Sequence, residues 1–140
     1  MTSSHRSLPG AVLALDWGGA KVGYATCDET GTVITPRGRF ARKSRHRPWQ
    51  LLPADLQELR RLIKNFEPAL LLLGLPLHAD GQESDASALA RQLALELHRE
   101  LKLPVELVPE ILTSWASRGA SDEDAAAAAL IIEDYLKGDS

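Results

Sequence analysis

With 140 residues, 44% of them apolar and 25% charged, the chain has the length and composition of one globular domain that folds without disulfides or a structural metal. A formal charge of -3 and a pI near 5.8 exclude a general polycation, so any contact with nucleic acid has to rest on a local patch. The single cysteine, Cys27, excludes an internal disulfide and a cysteine metal cluster. The apolar runs, Ala69–Leu73 among them, are too short to cross a bilayer, and Met1–Gly10 lacks the apolar core of a secretory signal, so the expectation is a soluble cytoplasmic protein without a membrane partner.

Residues 1–10 are polar at their start and are expected to form a disordered arm, followed by one domain over 11–137 and a tail at 138–140. Ala11–Asp16 is a short apolar run ending in an acid, which predicts a buried strand. Lys21–Cys27 continues with small and β-branched residues. Asp28-Glu-Thr-Gly31 is a turn signal, and Thr32–Phe40 returns as a third antiparallel strand. Between Arg37 and Pro48 the periodicity breaks. Pro53 suits the first turn of a helix, and Leu56, Leu59, Leu62, Ile63 and Phe66 mark its apolar face, with Pro68 ending it. Ala69–Gly74 is apolar on every side, as a central parallel strand covered on both faces would be. A loop over Leu75–Glu83 leads into a helix at Ser84–Leu101, with Leu89, Leu93 and Leu97 as its stripe. Pro104–Pro109 is a last strand, and Ser121–Asp124 opens an Ala-rich helix to Leu136. The order β-β-β-α-β-α-β-α predicts an α/β domain whose mixed sheet begins with an antiparallel meander and continues through right-handed crossovers.

Five features could carry chemistry. In Asp16-Trp-Gly-Gly-Ala-Lys-Val-Gly23 a carboxylate at a strand end is followed by glycines that let a metal or phosphate approach the backbone, although a strand-ending Asp also caps turns. The loop after the central strand holds His78, Asp80, Gly81 and Ser84, where open α/β sheets place ligands; Asp80-Gly81 is equally a plain turn, Ser84 a plain N-cap and His78 a solvated side chain. Glu110 follows the last strand and could stand beside Asp16. Asp122, Glu123 and Asp124 open the last helix, where its dipole favours acids in any case. Finally, Arg37, Arg39, Arg42, Lys43, Arg45 and Arg47 are six of the sixteen basic residues, in a stretch with no acid between Glu29 and Asp55. A phosphate backbone is the natural partner of such a run, and a solvated loop is its bland alternative. Trp17 and Trp115 could stack on bases, but core packing is the commoner use.

Taken together, Asp16-x-Gly18 with Gly23, Gly74-Leu-Pro-Leu with Asp80-Gly81 and Ser84, Glu110-x-Leu-Thr113-Ser114, and Asp124 with its run of alanines resemble the YqgF or RuvX family. Its members are Holliday-junction-resolvase-like proteins also described as pre-16S rRNA nucleases. The resemblance runs from Val12 to Leu136 and implies a ribonuclease H-like fold and metal-dependent cleavage of structured nucleic acid, either structured RNA or branched DNA. It assigns Asp16, Glu110 and Asp124 as catalytic residues and ligands of Mg²⁺ or Mn²⁺. Lys21 and the Arg37–Arg47 cations would bind nucleic acid, and Gly18, Asp80, Gly81, Ser84 and Thr113 would support the loops. Three departures accompany it. Pro109-Glu110-Ile111 stands where the family usually reads Asp-Glu-Arg, the stretch between Glu110 and Asp124 is short, and Lys21 stands alone where a basic pair is usual.

Two other classes compete. A catalytically degenerate module of the same fold would grip RNA or DNA without cutting it. A nucleotide-binding protein of the actin and sugar-kinase type also begins its phosphate loops with Asp-x-Gly, but needs a second lobe that a chain this short does not hold. A third possibility is an assembly role, in which the apolar, Ala-rich last helix packs against a copy of itself in a homodimer, the commonest two-fold assembly and one suited to cutting paired strands.

Overall fold

The computed structural model of the protein describes residues 7–43, 47–111 and 124–138. Five strands, β1 (Val12–Trp17), β2 (Lys21–Cys27), β3 (Ile34–Ala41), β4 (Leu70–Leu77) and β5 (Val105–Ile111), form one sheet in the order β3-β2-β1-β4-β5. β1, β2 and β3 pair antiparallel, while β4 joins β1 and β5 joins β4 in parallel. This is the mixed sheet expected from the element order. Among the described residues three helices accompany it: α1 (Pro53–Phe66), α2 (Asp85–Leu101) and α3 (Asp124–Lys137).

Side-chain alternation divides the strands between two cores. Leu13, Leu15, Trp17, Val22, Leu71 and Leu73 face α1 and α2, where Leu59, Leu62, Leu93 and Leu97 meet them. Val12, Ala14, Ala25, Leu70, Leu72 and Val108 face α3, whose Ala128, Ile131, Ile132 and Leu136 close the other side. β4 is buried on both faces, which explains its unbroken apolar sequence. Each fully buried leucine in these layers contributes roughly 1.5–3 kcal/mol relative to exposure.

The helix ends follow local chemistry. Asp55 accepts the Leu52 N–H at 2.9 Å at the start of α1, and Glu67 closes it in the left-handed conformation at φ 49°. Ser84 caps α2 by accepting the Ser87 N–H at 3.0 Å, and Ser87 Oγ in turn accepts the Ser84 N–H at 2.8 Å. Ser84 Oγ also donates to the Pro76 carbonyl at 3.1 Å, tying the loop to β4.

Several expectations need correction. Leu89 does not belong to the buried stripe of α2: it is 45% exposed, and Ala90 and Ala94 fill the face beside Leu93 and Leu97. The α2 residues that meet the sheet are those on the arc from 90 to 97, which small alanines allow to pack closely. Of the expected arm, residues 1–6 lie outside the described residues, whereas Leu8 packs against the α3 core. On α3 the residues Ala127, Ala128, Ala129, Ile131, Ile132, Tyr135 and Leu136 are buried against the sheet, while Leu130 is 37% exposed. No helix among the described residues is long and apolar enough to cross a membrane.

Candidate active site

Asp16 stands near the carboxyl end of β1, on the same face as Val12 and Ala14 and therefore on the α3 side of the sheet. Its antiparallel partner on β2 is Gly23, and the partner of Gly23 on β3 is Arg39. Asp16, Gly23 and Arg39 thus form a row across three strands. On the other side of Asp16 the register beyond the Leu15–Leu73 pair brings it level with Gly74, which adds no side chain to the gap before β5. Gly74 pairs with Val108, and Glu110 follows two residues on, opposite Pro76 and on the α3 face. With strands about 4.8 Å apart and a rise of about 3.3 Å per residue, the Cα atoms of Asp16 and Glu110 lie roughly 11–12 Å apart. Glu110 is 4% exposed.

The third acid arrives through α3. A Cβ built on Gly23 would fall 2.2 Å from the Asp124 carbonyl oxygen and 2.8 Å from its Cβ. Only a residue without a side chain lets the start of α3 rest on β2, directly beside Asp16. The carboxylate of Asp124 then meets two cations on the same oxygen, Lys21 Nζ at 3.2 Å and Arg39 Nη1 at 3.5 Å. Lys21, two residues before Gly23, shares its face of β2. The Oδ2 atom of Asp124 is closed to solvent and accepts no aligned hydrogen bond among the described residues, so charge rather than a directed bond holds it.

Three acids from distant parts of the chain therefore occupy one face at one end of the sheet. They are not drawn into a single cluster: among the described residues no three His, Cys, Asp or Glu side chains stand close enough to hold one ion. Like charges repel when no cation lies between them, and Asp124 is engaged with Lys21 and Arg39. The donor set fits a hard divalent cation, which takes carboxylate oxygens, and the Oε2 of Glu110 and Oδ2 of Asp124 are both withdrawn from water.

The basic stretch does not act as a unit. Arg42 is a correction to the expected nucleic-acid contacts: its side chain is fully buried and pairs with Asp55 at 3.0 Å. It also donates to the carbonyls of Gly18 at 3.0 Å, Pro48 at 2.6 Å and Gln50, and lies 4.8 Å from the centroid of the Trp17 ring. Five guanidinium donors are thereby used in holding the β1–β2 turn to the segment before α1, which no phosphate could share. Arg37 turns to the opposite end of the sheet, donating to Thr26 Oγ1 at 2.8 Å and lying 4.9 Å from the Phe66 ring centroid. Among the described residues of the stretch, Arg39 reaches Asp124, at 3.5 Å. Lys43 and Arg47 are exposed, and Arg45 lies outside the described residues, as do Thr113 and Trp115. Trp17 is core, 3% exposed, with its indole N–H donating to the Pro48 carbonyl at 2.7 Å.

The loop residues serve structure. Gly18 donates to the Lys21 carbonyl at 3.0 Å, which closes the β1–β2 turn, and leaves no room for a Cβ, which would stand 2.8 Å from that oxygen. Asp80 accepts the Gln82 N–H at 3.0 Å, and Gly81 takes φ 85°. His78 is exposed.

Sequence reasoning missed two partners. Gly23 was legible only as room for a ligand, yet the helix start occupies that room. Asp55 was the first acid after a run of basic residues and sat at the third position of a helix, a signal for a buried partner of one of them.

A five-stranded mixed sheet in the order β3-β2-β1-β4-β5, three strands antiparallel and two joined in parallel, flanked by helices, is the ribonuclease H-like fold. The chain belongs to the RuvX family, described as Holliday junction resolvase, which it matches over residues 10–138. A Bordetella pertussis relative named "Putative pre-16S rRNA nuclease" is 34% identical over 134 residues, covering 89% of this chain and 92% of its own. One of the same name from Prochlorococcus marinus is 34% identical over 145 residues, covering 98% and 85%. Among solved structures, T. thermophilus RuvC in complex with a Holliday junction substrate aligns over 87% of this chain and 90% of its own, at 13% identity and a TM-score of 0.49.

Proposed function

We propose that the protein is a nuclease that hydrolyses phosphodiester bonds in structured RNA of the pre-16S rRNA type, or in branched DNA, using Mg²⁺ or Mn²⁺. The observation that carries this is the arrangement of Asp16, Glu110 and Asp124 at one end of one sheet face, with Lys21 and Arg39 at its rim. Asp16, Glu110 and Asp124 would hold the ions. When bound, the metal supplies an activated water and neutralises charge on the departing oxygen. Gly23 sets Asp124 beside Asp16, and burial of Glu110 keeps its carboxylate out of competition with water. Lys21 and Arg39 meet the backbone phosphate, with exposed Lys43 and Arg47 extending the positive track. An rRNA precursor as substrate places the work in the cytoplasm.

Asp16→Asn is expected to keep the fold, seen as an unchanged circular dichroism spectrum and melting temperature, and to abolish cleavage of a labelled structured RNA in Mn²⁺. Full activity in that variant would sink the mechanism. One observation favours a second reading, a module that binds without cutting: no three acids among the described residues lie within reach of one ion. Wild-type protein that shifts the RNA in a binding assay yet leaves it intact over a range of Mn²⁺ concentrations would establish that reading instead.

A further inference from the structure

We infer that Lys21 and Arg39 are exchangeable counter-charges: they hold the Asp124 carboxylate in the free protein and leave it for the substrate's phosphate when a divalent cation takes their place. This deepens the nuclease reading and rests on it. The geometry that carries it is the meeting of both cations on one oxygen, Oδ2 of Asp124, at 3.2 and 3.5 Å. That oxygen is closed to solvent and accepts no aligned hydrogen bond, so its only neutralising partners among the described residues are these two side chains. An acid held in this way cannot also bind a metal ion at full strength, because each cation beside it lowers the potential that attracts another.

The two cations differ from the buried Arg42 in being movable. The Lys21 and Arg39 side chains are 39% and 44% exposed, whereas the Asp124 side chain is 20% exposed and its backbone is pinned on Gly23. The fixed member is the acid, and its partners are long, partly exposed side chains carried by β2 and β3. A phosphodiester approaching the sheet end brings negative charge to the same place. It can take over Lys21 and Arg39 as the ion takes over Asp124, so metal and substrate assist each other's binding. Without those two side chains the site gains affinity for metal and loses affinity for nucleic acid. Two readouts moving in opposite directions are something a purely structural role would not produce.

The test compares wild type with Lys21→Met/Arg39→Met and with the charge-preserving Lys21→Arg/Arg39→Lys. Mn²⁺ binding is measured by titration calorimetry without nucleic acid. Binding of a fluorescein-labelled RNA hairpin is measured by anisotropy over a series of salt concentrations with Ca²⁺ present, a hard cation that takes the same carboxylate oxygens. The double methionine variant is expected to bind Mn²⁺ roughly five- to tenfold more tightly, from the loss of two half-exposed ion pairs. Its RNA affinity is expected to fall, with a log–log salt slope shallower by about 1.4–1.8 units, the value for two lost phosphate contacts. The charge-preserving variant should match wild type in both. Unchanged or weaker Mn²⁺ binding by a folded methionine variant overturns the exchange while leaving the nuclease reading intact, and so does an unchanged salt slope. Wild type that binds neither Mn²⁺ nor the hairpin overturns both together. If the methionine variant fails to fold, a charge-preserving variant that departs from wild type in either measurement overturns the exchange.

Discussion

Replacing Arg42 separates a structural cation from a nucleic-acid contact, because the two roles fail in different assays. In the native state its guanidinium meets Asp55 through Nε and Nη2 and donates to the carbonyls of Gly18, Pro48 and Gln50, with the side chain fully buried and Asp55 at 2% exposure. Arg42→Ala leaves the Asp55 carboxylate buried with only the Leu52 N–H still donating among the bonds described, and strips three carbonyls of a donor. Removing one partner of a buried pair costs about 3–5 kcal/mol, of which the stranded charge is the larger part. Water entering the vacated space can recover the carbonyls, so their loss adds about 1 kcal/mol or less apiece. Against a total stability of roughly 5–15 kcal/mol this removes about a fifth at the least. With a urea dependence of about 1–3 kcal/mol per molar, the unfolding midpoint should drop by roughly 2 M. Arg42→Met combined with Asp55→Leu should recover most of the loss, since an apolar pair strands no charge. RNA affinity of whatever fraction remains folded should be unchanged. A midpoint within about 0.3 M of wild type, within extrapolation error, together with weakened RNA binding, would refute the burial argument and restore Arg42 to the surface track.

Other outcomes follow from the same geometry. Gly23→Ala places a methyl group 2.2 Å from the Asp124 carbonyl oxygen, so α3 must lift from β2; cleavage should fall roughly 100-fold, as a displacement near 1 Å implies, while the circular dichroism spectrum persists. Gly81→Ala, at φ 85° with nothing within 4 Å, should cost only the left-handed backbone penalty of roughly 1–2 kcal/mol, read from urea unfolding, and spare activity. Burial, and then the neighbouring Asp28 carboxylate, push the Cys27 thiol above its ordinary 9.0, so a disulfide reagent at neutral pH should label unfolded protein readily and native protein only through rare opening. Thr30, followed by the Val33 N–H, holds the Asp28 carboxyl below its ordinary 3.8. Its contribution to stability is therefore complete above that value and lost as the pH falls through the lower folded value, a decline that Asp28→Asn should flatten in acid unfolding curves.

Much of this protein is written locally. The strand at Lys21–Cys27, the start of α1 at Pro53, the Ser84 cap and the doubly buried β4 all lie where alternation, turn chemistry and capping residues say they should, because each depends on neighbours within a few positions. The three acids were legible as strand-end and helix-start residues, and their family pattern pointed to one site. Folding decided what each charged or small residue is for. Arg39 and Arg42 stand three residues apart in one basic run, yet strand alternation sends one toward Asp124 and the other into the core against Asp55. Gly23 looked like space for a ligand until α3, about a hundred residues later in the chain, came to rest on it. Charge and size are properties of a residue, whereas burial and partnership belong to whatever the crossovers bring alongside, and no spacing within the chain encodes those.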